Sequence, residues 1–175
     1  MDMEKYAHTN IDIVKTWRHT FPIYNPFTPD VKPRVAMADT WRSTDGNFLY
    51  GTLIIKVTDP DTGKNLYFEF AHLTAAHREN GLWIPENKLW EKVMNHGYGN
   101  WEHEIYIPVD SGQLLGYVSN PKTDPWSNAY HIQFGQRMPD AVANPYTAAL
   151  QVYFMTHQAD KYRPAWEEEP SGSGF

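Results

Sequence analysis

Two neighbouring stretches of the chain place an apolar residue at alternate positions. Leu49, Leu53, Ile55 and Val57 share one face of the first, and Leu66, Phe68 and Phe70 share one face of the second. A period of two is the signature of a strand with one buried side. Between them, Asp59-Pro60-Asp61-Thr62-Gly63 offers a side-chain cap, a preset φ and a left-handed glycine, which together turn the chain back. The pattern predicts a long β-hairpin from Asn47 to His72. An isolated hairpin is not stable in water, so the other segments must cover it.

The same periodicity predicts further strands on both sides of the hairpin. Val35, Met37 and Trp41 alternate with Ala36, Ala38 and Thr40 ahead of a Ser43–Asn47 turn, and Trp101, His103, Ile105, Ile107 and Val109 alternate strictly with polar neighbours. Gln113–Ser119, Ser127–Arg137 and Thr147–His157 complete a meander, with turns at Asp110–Gly112 and Asn120–Pro125. Asn10–Phe21 fits a strand or a short helix. Helical signals are fewer. Thr74–Asn80 suits a turn or two of helix between a Thr74 cap and Gly81, and a clearer amphipathic helix is expected over about 85–95. That helix would open with Pro85 at its first position, pair Leu89 with Val93 and Trp90 with Met94, and stop at Gly97.

The expected class is therefore mainly β: an antiparallel β-sandwich, jelly-roll-like fold or barrel, with one inserted helix and extended N- and C-terminal segments. Pro22, Pro26, Pro29 and Pro33 make an arm that cannot be a central strand, which divides the chain into an N-terminal segment (1–33), a β-rich domain (34–159) and a C-terminal tail (160–175).

Composition narrows the function classes. The 175 residues are 41% hydrophobic and 15% aromatic, enough for one domain with a proper core and unlike a disordered chain. Cysteine is absent, which removes disulfides, thiolate metal sites and a cysteine nucleophile. A net charge of −6 argues against a duplex nucleic-acid partner. The chain has neither a basic-then-apolar leader nor the ~20 apolar residues of a membrane helix, so a soluble protein of the cytoplasm or of a virion is expected, with secretion left open.

Candidate chemistry is sparse. His72, His103 and His131 lie on predicted strands and are the residues to weigh as metal ligands or bases, but His72 follows Phe68 and Phe70 on one face and His103 lies between Trp101 and Ile105, where a hydrogen-bonded core histidine is the simpler reading. His72-Leu73-Thr74 forms half of a paired His-x-Thr arrangement, and its only partner, His131-Ile132-Gln133, lacks the hydroxyl. Asp59–Gly63 could begin a calcium loop, yet the downstream glutamate is missing and a tight turn wants the same residues. Glu102 and Glu104 share one face of a predicted strand as paired carboxylates or, more simply, as a solvated edge. We therefore expect no catalytic residue, no metal and no cofactor.

The aromatic residues are more informative. Tyr98, Asn100 and Trp101 in one loop, and Trp126 and Asn128 in another, combine flat rings with amides as a sugar-binding loop does. In the arm and tail, Phe21, Tyr24, Phe27, Trp166 and Phe175 are apolar groups that could dock on a neighbouring subunit and so offset the entropy of ordering those segments. The final residues, with Glu167-Glu168-Glu169 ahead of a terminal Phe175, resemble the acidic tips of bacterial and phage single-strand-binding proteins, which would imply recruitment of partner proteins.

The leading expectation is a non-catalytic structural or assembly protein, such as a capsid, connector or tail component of a viral or phage particle, partnered by its own copies or other subunits. A carbohydrate-binding β-sandwich module with a glycan ligand comes next. A metal-dependent or hydrolytic enzyme using the strand histidines, and a single-stranded nucleic-acid-binding protein with an acidic tail, are the remaining alternatives.

Overall fold

A fifteen-residue strand, β5 (Asn65–Glu79), is the spine of the structure. The computed structural model describes residues 11–14 and 22–137. Among them, one nine-stranded antiparallel sheet runs in the order β1 (Ile11–Val14), β9 (His131–Arg137), β5, β4 (Phe48–Thr58), β3 (Arg34–Arg42) and β7 (Ile107–Pro108). Three short strands lie off this path: β2 (Pro22–Tyr24) pairs β8 (Leu114–Val118), β8 also pairs β5, and β6 (Leu82–Pro85) pairs β5. The sheet curls as a half-barrel. Of the three expected architectures, the barrel-like one is observed, and the mainly β class with one inserted helix holds.

The predicted hairpin is the centre of this sheet. β4 and β5 are in register from Thr58↔Asn65 back to Phe48↔His77, and Leu49, Leu53, Ile55, Val57, Leu66, Phe68 and Phe70 all enter one core. Asp59 ties the turn, accepting from the backbone N–H of Asp61 (2.9 Å) and from the Thr62 hydroxyl (2.9 Å). Those N–H and O–H donors keep the Asp59 carboxyl below its ordinary value. Both carboxylate oxygens thus serve the turn that the sequence offered as the alternative to a calcium loop.

Several expectations are corrected. Thr74–Asn80 is not helical, because β5 continues through it: Ala76–Glu79 pair with β6, and Leu73 and Thr74 with β8. The helix α1 spans Lys88–His96 rather than beginning at Pro85, which closes β6 instead. Asn87 is its N-cap, its side chain accepting from Trp90 N–H at 2.9 Å, and Gly97 ends it at φ 85°. Leu89, Trp90 and Val93 of α1 join the core, where Trp90 donates its indole N–H to the Leu115 carbonyl at 2.9 Å. Trp101–Val109 is mostly loop, and only Ile107 and Pro108 pair, with β3. In β3 a bulge between Val35 and Met37 breaks the expected alternation and sends Val35 to the core and Met37 to the opposite, outer face. The Ser127–Arg137 strand starts later, at His131.

The proline-rich arm belongs to the same core. Phe27 is 1% exposed and packs on Phe68 (5.2 Å between ring centres), Phe70 and Phe134, so its ring is unavailable to a neighbouring subunit. Asn25 anchors the arm, its amide donating to the Asp110 carbonyl (2.9 Å) and accepting from Phe27 N–H (3.2 Å). Tyr24 remains partly exposed. Phe21, Trp166, Phe175 and the Thr147–His157 segment lie outside the described residues. Among the described residues no helix is long and apolar enough to cross a membrane.

Two substitutions test this core. Phe68→Ala should cost about 3–5 kcal/mol, since the ring is fully buried among other aromatics. Gly51→Ala should cost about 1–3 kcal/mol, because the added methyl would meet the Asp39 carbonyl and the Trp90 ring, each at 2.7 Å. Urea unfolding measures both, and a loss under about 1 kcal/mol for Phe68→Ala would overturn the face assignment.

Candidate functional site

The outer face of the sheet, opposite the main core, is crossed by two loops, and each makes a cluster of polar and aromatic side chains. The first loop, residues 97–106, begins at the end of α1 and runs along the free edge of β3, where Ala38 N–H donates to the Tyr98 carbonyl and Ile105 N–H to the Ala36 carbonyl, both at 2.8 Å. Asn100 then turns it sharply. Its side-chain oxygen accepts from the N–H groups of Glu102 (2.9 Å) and His103 (2.8 Å), a local bond that competes with strand pairing and explains why the alternation here did not produce a strand. Gly99 sits at φ 66°, a backbone that favours glycine, and a β-carbon there would press on backbone atoms of Ala36, His103 and Ile105 at 3.0–3.1 Å.

The turn swings Trp101 across the sheet onto Tyr67 of β5, edge to face at 4.9 Å. Glu104 fastens the far end of the loop to the Lys56 ammonium at 2.9 Å and to the Tyr67 hydroxyl. Burial alone would raise the Glu104 carboxyl, but these two donors hold it below its ordinary value. Burial likewise would lower Lys56, yet Glu104 and Tyr67 raise it.

Beneath this strap lies an open groove of about 380 Å³, lined by Met37, Ala38 and Asp39 of β3, Thr52 and Ile54 of β4, Glu69 of β5, and Gly99, Asn100 and Trp101 of the loop. Register explains the set: Asp39 faces Thr52, Ile54 faces both Met37 and Glu69, and these positions alternate with core residues. Met37 and Ile54 make an apolar floor, Trp101 is a wall 38% exposed to solvent, and Asp39 and Glu69 bring carboxyl groups. Asp39 uses one carboxylate oxygen to accept from Thr40 N–H at 2.8 Å.

The second loop, residues 119–130, covers the other end of the outer face and buries Asp124. One carboxylate oxygen accepts from Trp41 Nε1–H (2.8 Å) and Trp126 N–H (3.0 Å), while the other meets the Ser119 hydroxyl (2.5 Å) and His72 Nδ1 (3.1 Å). Burial would push the Asp124 carboxyl up, but His72, Ser119, Trp126 and Trp41 together hold it below its ordinary value. His72 is 6% exposed, stacks obliquely on His131 at 4.6 Å between ring centres, and has φ 67°, a left-handed backbone unusual for a side chain of its size. The cause is a bulge: two β5 residues, Ala71 and His72, oppose Thr52 alone. That bulge moves His72 off the Phe68 and Phe70 face, where the period of two had placed it.

Sequence-predicted residues therefore divide. Asn100 and Trp101 meet in the groove, whereas Tyr98 turns away to bond the Thr40 hydroxyl at 3.1 Å and pack on the core. Trp126 and Asn128 sit in the second loop, exposed and outside the groove lining. His72 and His131 come together, but His103 is exposed in the first loop rather than buried on a strand, so the three histidines do not converge. Among the described residues no three histidine, aspartate or glutamate side chains form a ligand set. Glu102 and Glu104 do not pair on a strand face, since Glu104 binds Lys56. Ser119, His72 and Asp124 do not form a nucleophilic relay either: the serine is fully buried and bonds the carboxylate, not the imidazole. Sequence reasoning missed Asp39, Thr52, Glu69 and Asp124. The signal for Glu69 was available, as a charge between Phe68 and Phe70 on a central strand.

Compared with protein-family models, curated proteins and solved structures, the chain matches none.

Two variants probe the Asp124 cluster. His72→Gly should be more stable than His72→Ala by about 1 kcal/mol, because only glycine adopts the left-handed backbone without strain. Asp124→Asn should destabilise most at neutral pH. A carboxyl whose folded pKa lies below the unfolded 3.8 contributes stability that is fully present above that value and is lost as pH falls through the folded pKa. The wild type should therefore lose more stability than Asp124→Asn on acidification from above 3.8 to below it, and parallel pH profiles would refute this role.

Proposed function

We propose that this protein is a non-catalytic binding protein that seats a sugar in the groove under the 97–106 loop. The observation that carries the reading is Trp101, a partly exposed ring held rigid against Tyr67 and set beside Asp39, Thr52, Glu69 and Asn100. A pyranose presents an apolar C–H face and a rim of hydroxyls. An indole wall takes the first, and carboxyl, hydroxyl and amide groups around it take the second. The groove volume of about 380 Å³ is at the lower end of ligand sites and suits one or two rings. Preformed walls reduce the ordering cost of binding, since Asn100 and Glu104 already lock the loop.

A glycan array followed by calorimetry tests this. Trp101→Ala should abolish binding of whichever oligosaccharide the wild type takes, with little change in melting temperature, because Trp101 lies outside the main core. Binding that survives in Trp101→Ala, or an array without a hit, defeats the reading.

A second reading, self-assembly as a structural subunit of the kind found in viral or phage particles, is supported by β6. Among the described residues this strand pairs only with β5, and it exposes Leu82 (66%) and Ile84 on one side. An edge with free backbone groups and apolar side chains is suited to pairing with a second copy. Light scattering should then give a multiple of the monomer mass that falls to the monomer in Leu82→Asp. A monomeric wild type defeats this reading and leaves the sugar site untouched.

A further inference from the structure

Resting on the sugar reading, we propose that the ligand is an amino sugar, bound through a protonated amine held between Trp101 and Asp39. The lining contains Asp39 and Glu69 but no lysine, arginine or histidine. The lysine in the neighbourhood, Lys56, is bound to Glu104 at 2.9 Å and does not line the groove. A protonated amine is favoured where an anionic acceptor is exposed and no cation of the protein competes for it. The exposed charged atom on offer is the second carboxylate oxygen of Asp39, with the Thr52 hydroxyl directly across the strand pair as donor or acceptor. The Asn100 side-chain oxygen is already engaged with Glu102 and His103, so toward a ligand that residue offers its amide N–H donors and does not compete with Asp39 for a cation.

The indole adds to the same preference. A cation over the face of tryptophan is attracted by the ring quadrupole, and Met37 and Ile54 give the same groove an apolar floor. An ammonium makes a charge-assisted bond to the Asp39 carboxylate that a hydroxyl or an acetamide at the same carbon does not. The chain's net charge of −6 would draw such a ligand in from a distance, without selecting where it lands. Selection must come from the groove itself, and Asp39 is its most accessible charged residue, being exposed while Glu69 is buried.

Three β-1,4-linked oligosaccharides that differ only at carbon 2 separate the possibilities: glucosamine (amine), N-acetylglucosamine (acetamide) and glucose (hydroxyl) oligomers of equal length. Calorimetry is run below the pH at which the sugar amine loses its proton. The glucosamine oligomer should bind at least about tenfold more tightly than the other two, and the advantage should shrink as salt is raised. Asp39→Asn keeps an acceptor for Thr40 N–H while removing the charge, so it should erase the preference for amine and bring the glucosamine oligomer's affinity down to that of the other two. Trp101→Ala should abolish binding of all three. Equal binding of the three oligomers by the wild type overturns the amine proposal and leaves the sugar reading standing. Failure to bind any of them overturns the amino-sugar proposal, while the glycan array decides the sugar reading separately. An amine preference that persists in Asp39→Asn and in Trp101→Ala is diffuse attraction to an acidic protein and also overturns the proposal.

Discussion

A strand as long as β5 cannot remain regular in a curled sheet, and the way it breaks determines almost everything else. β4 accompanies it along one side, while the other side is shared in succession by β9, β8 and β6. Right-handed twist accumulates along each strand, so a single straight neighbour cannot follow fifteen residues of a curling partner. Bulges release the mismatch. The bulge at Ala71–His72 falls where pairing passes from β9, which ends at Ala71, to β8, which begins at Leu73. The positive φ of His72 is thus a consequence of the fold's central junction, and burial against Asp124 and His131 is what holds a bulky residue there.

The junction also explains why the outer face has two unlike regions. On the Tyr67 side of the bulge, β5 keeps its alternation, so Tyr67 and Glu69 face outward beside Ile54 and Thr52 and leave an open floor for the groove. Past it, His72 is turned toward the 119–130 loop, whose Asp124 collects it together with Trp41 and Ser119. One displaced residue divides a continuous sheet face into a sealed polar knot and an accessible cleft.

How much of this was legible in the sequence follows from the range of each interaction. The hairpin was, because its period of two and its Asp-Pro-Asp-Thr-Gly turn are local and agree. Helix α1 was, apart from its first turn, where the Asn87 cap outcompeted Pro85 as the starting signal. Thr74–Asn80 was misread since Ala75, Ala76 and Glu79 favour helix in isolation, while β4 and β6 claim their backbone groups in the fold. Trp101–Val109 failed in the opposite sense, as a strand pattern overruled by the Asn100 turn. The groove was half visible: Asn100 and Trp101 belong to one loop, but Asp39, Thr52 and Glu69 come from three strands whose register depends on bulges that no spacing rule reveals.

The difference between a structural and a binding carboxylate can be read from what its oxygens already do. Asp59 is occupied by its own turn, Asp45 by Ser43 and Asn47 N–H, and Asp124 by four donors from three separate segments. Any ligand reaching these groups would have to replace bonds that hold the chain in place, and for Asp124 it would also have to enter a sealed interior. Asp39 is different. Among the described residues it bonds only the neighbouring Thr40 N–H, it is exposed, and it borders a cleft whose aromatic wall packs on Tyr67. A ligand there displaces water rather than protein, so the groove, and not the more elaborate histidine cluster, is where binding energy remains to be gained.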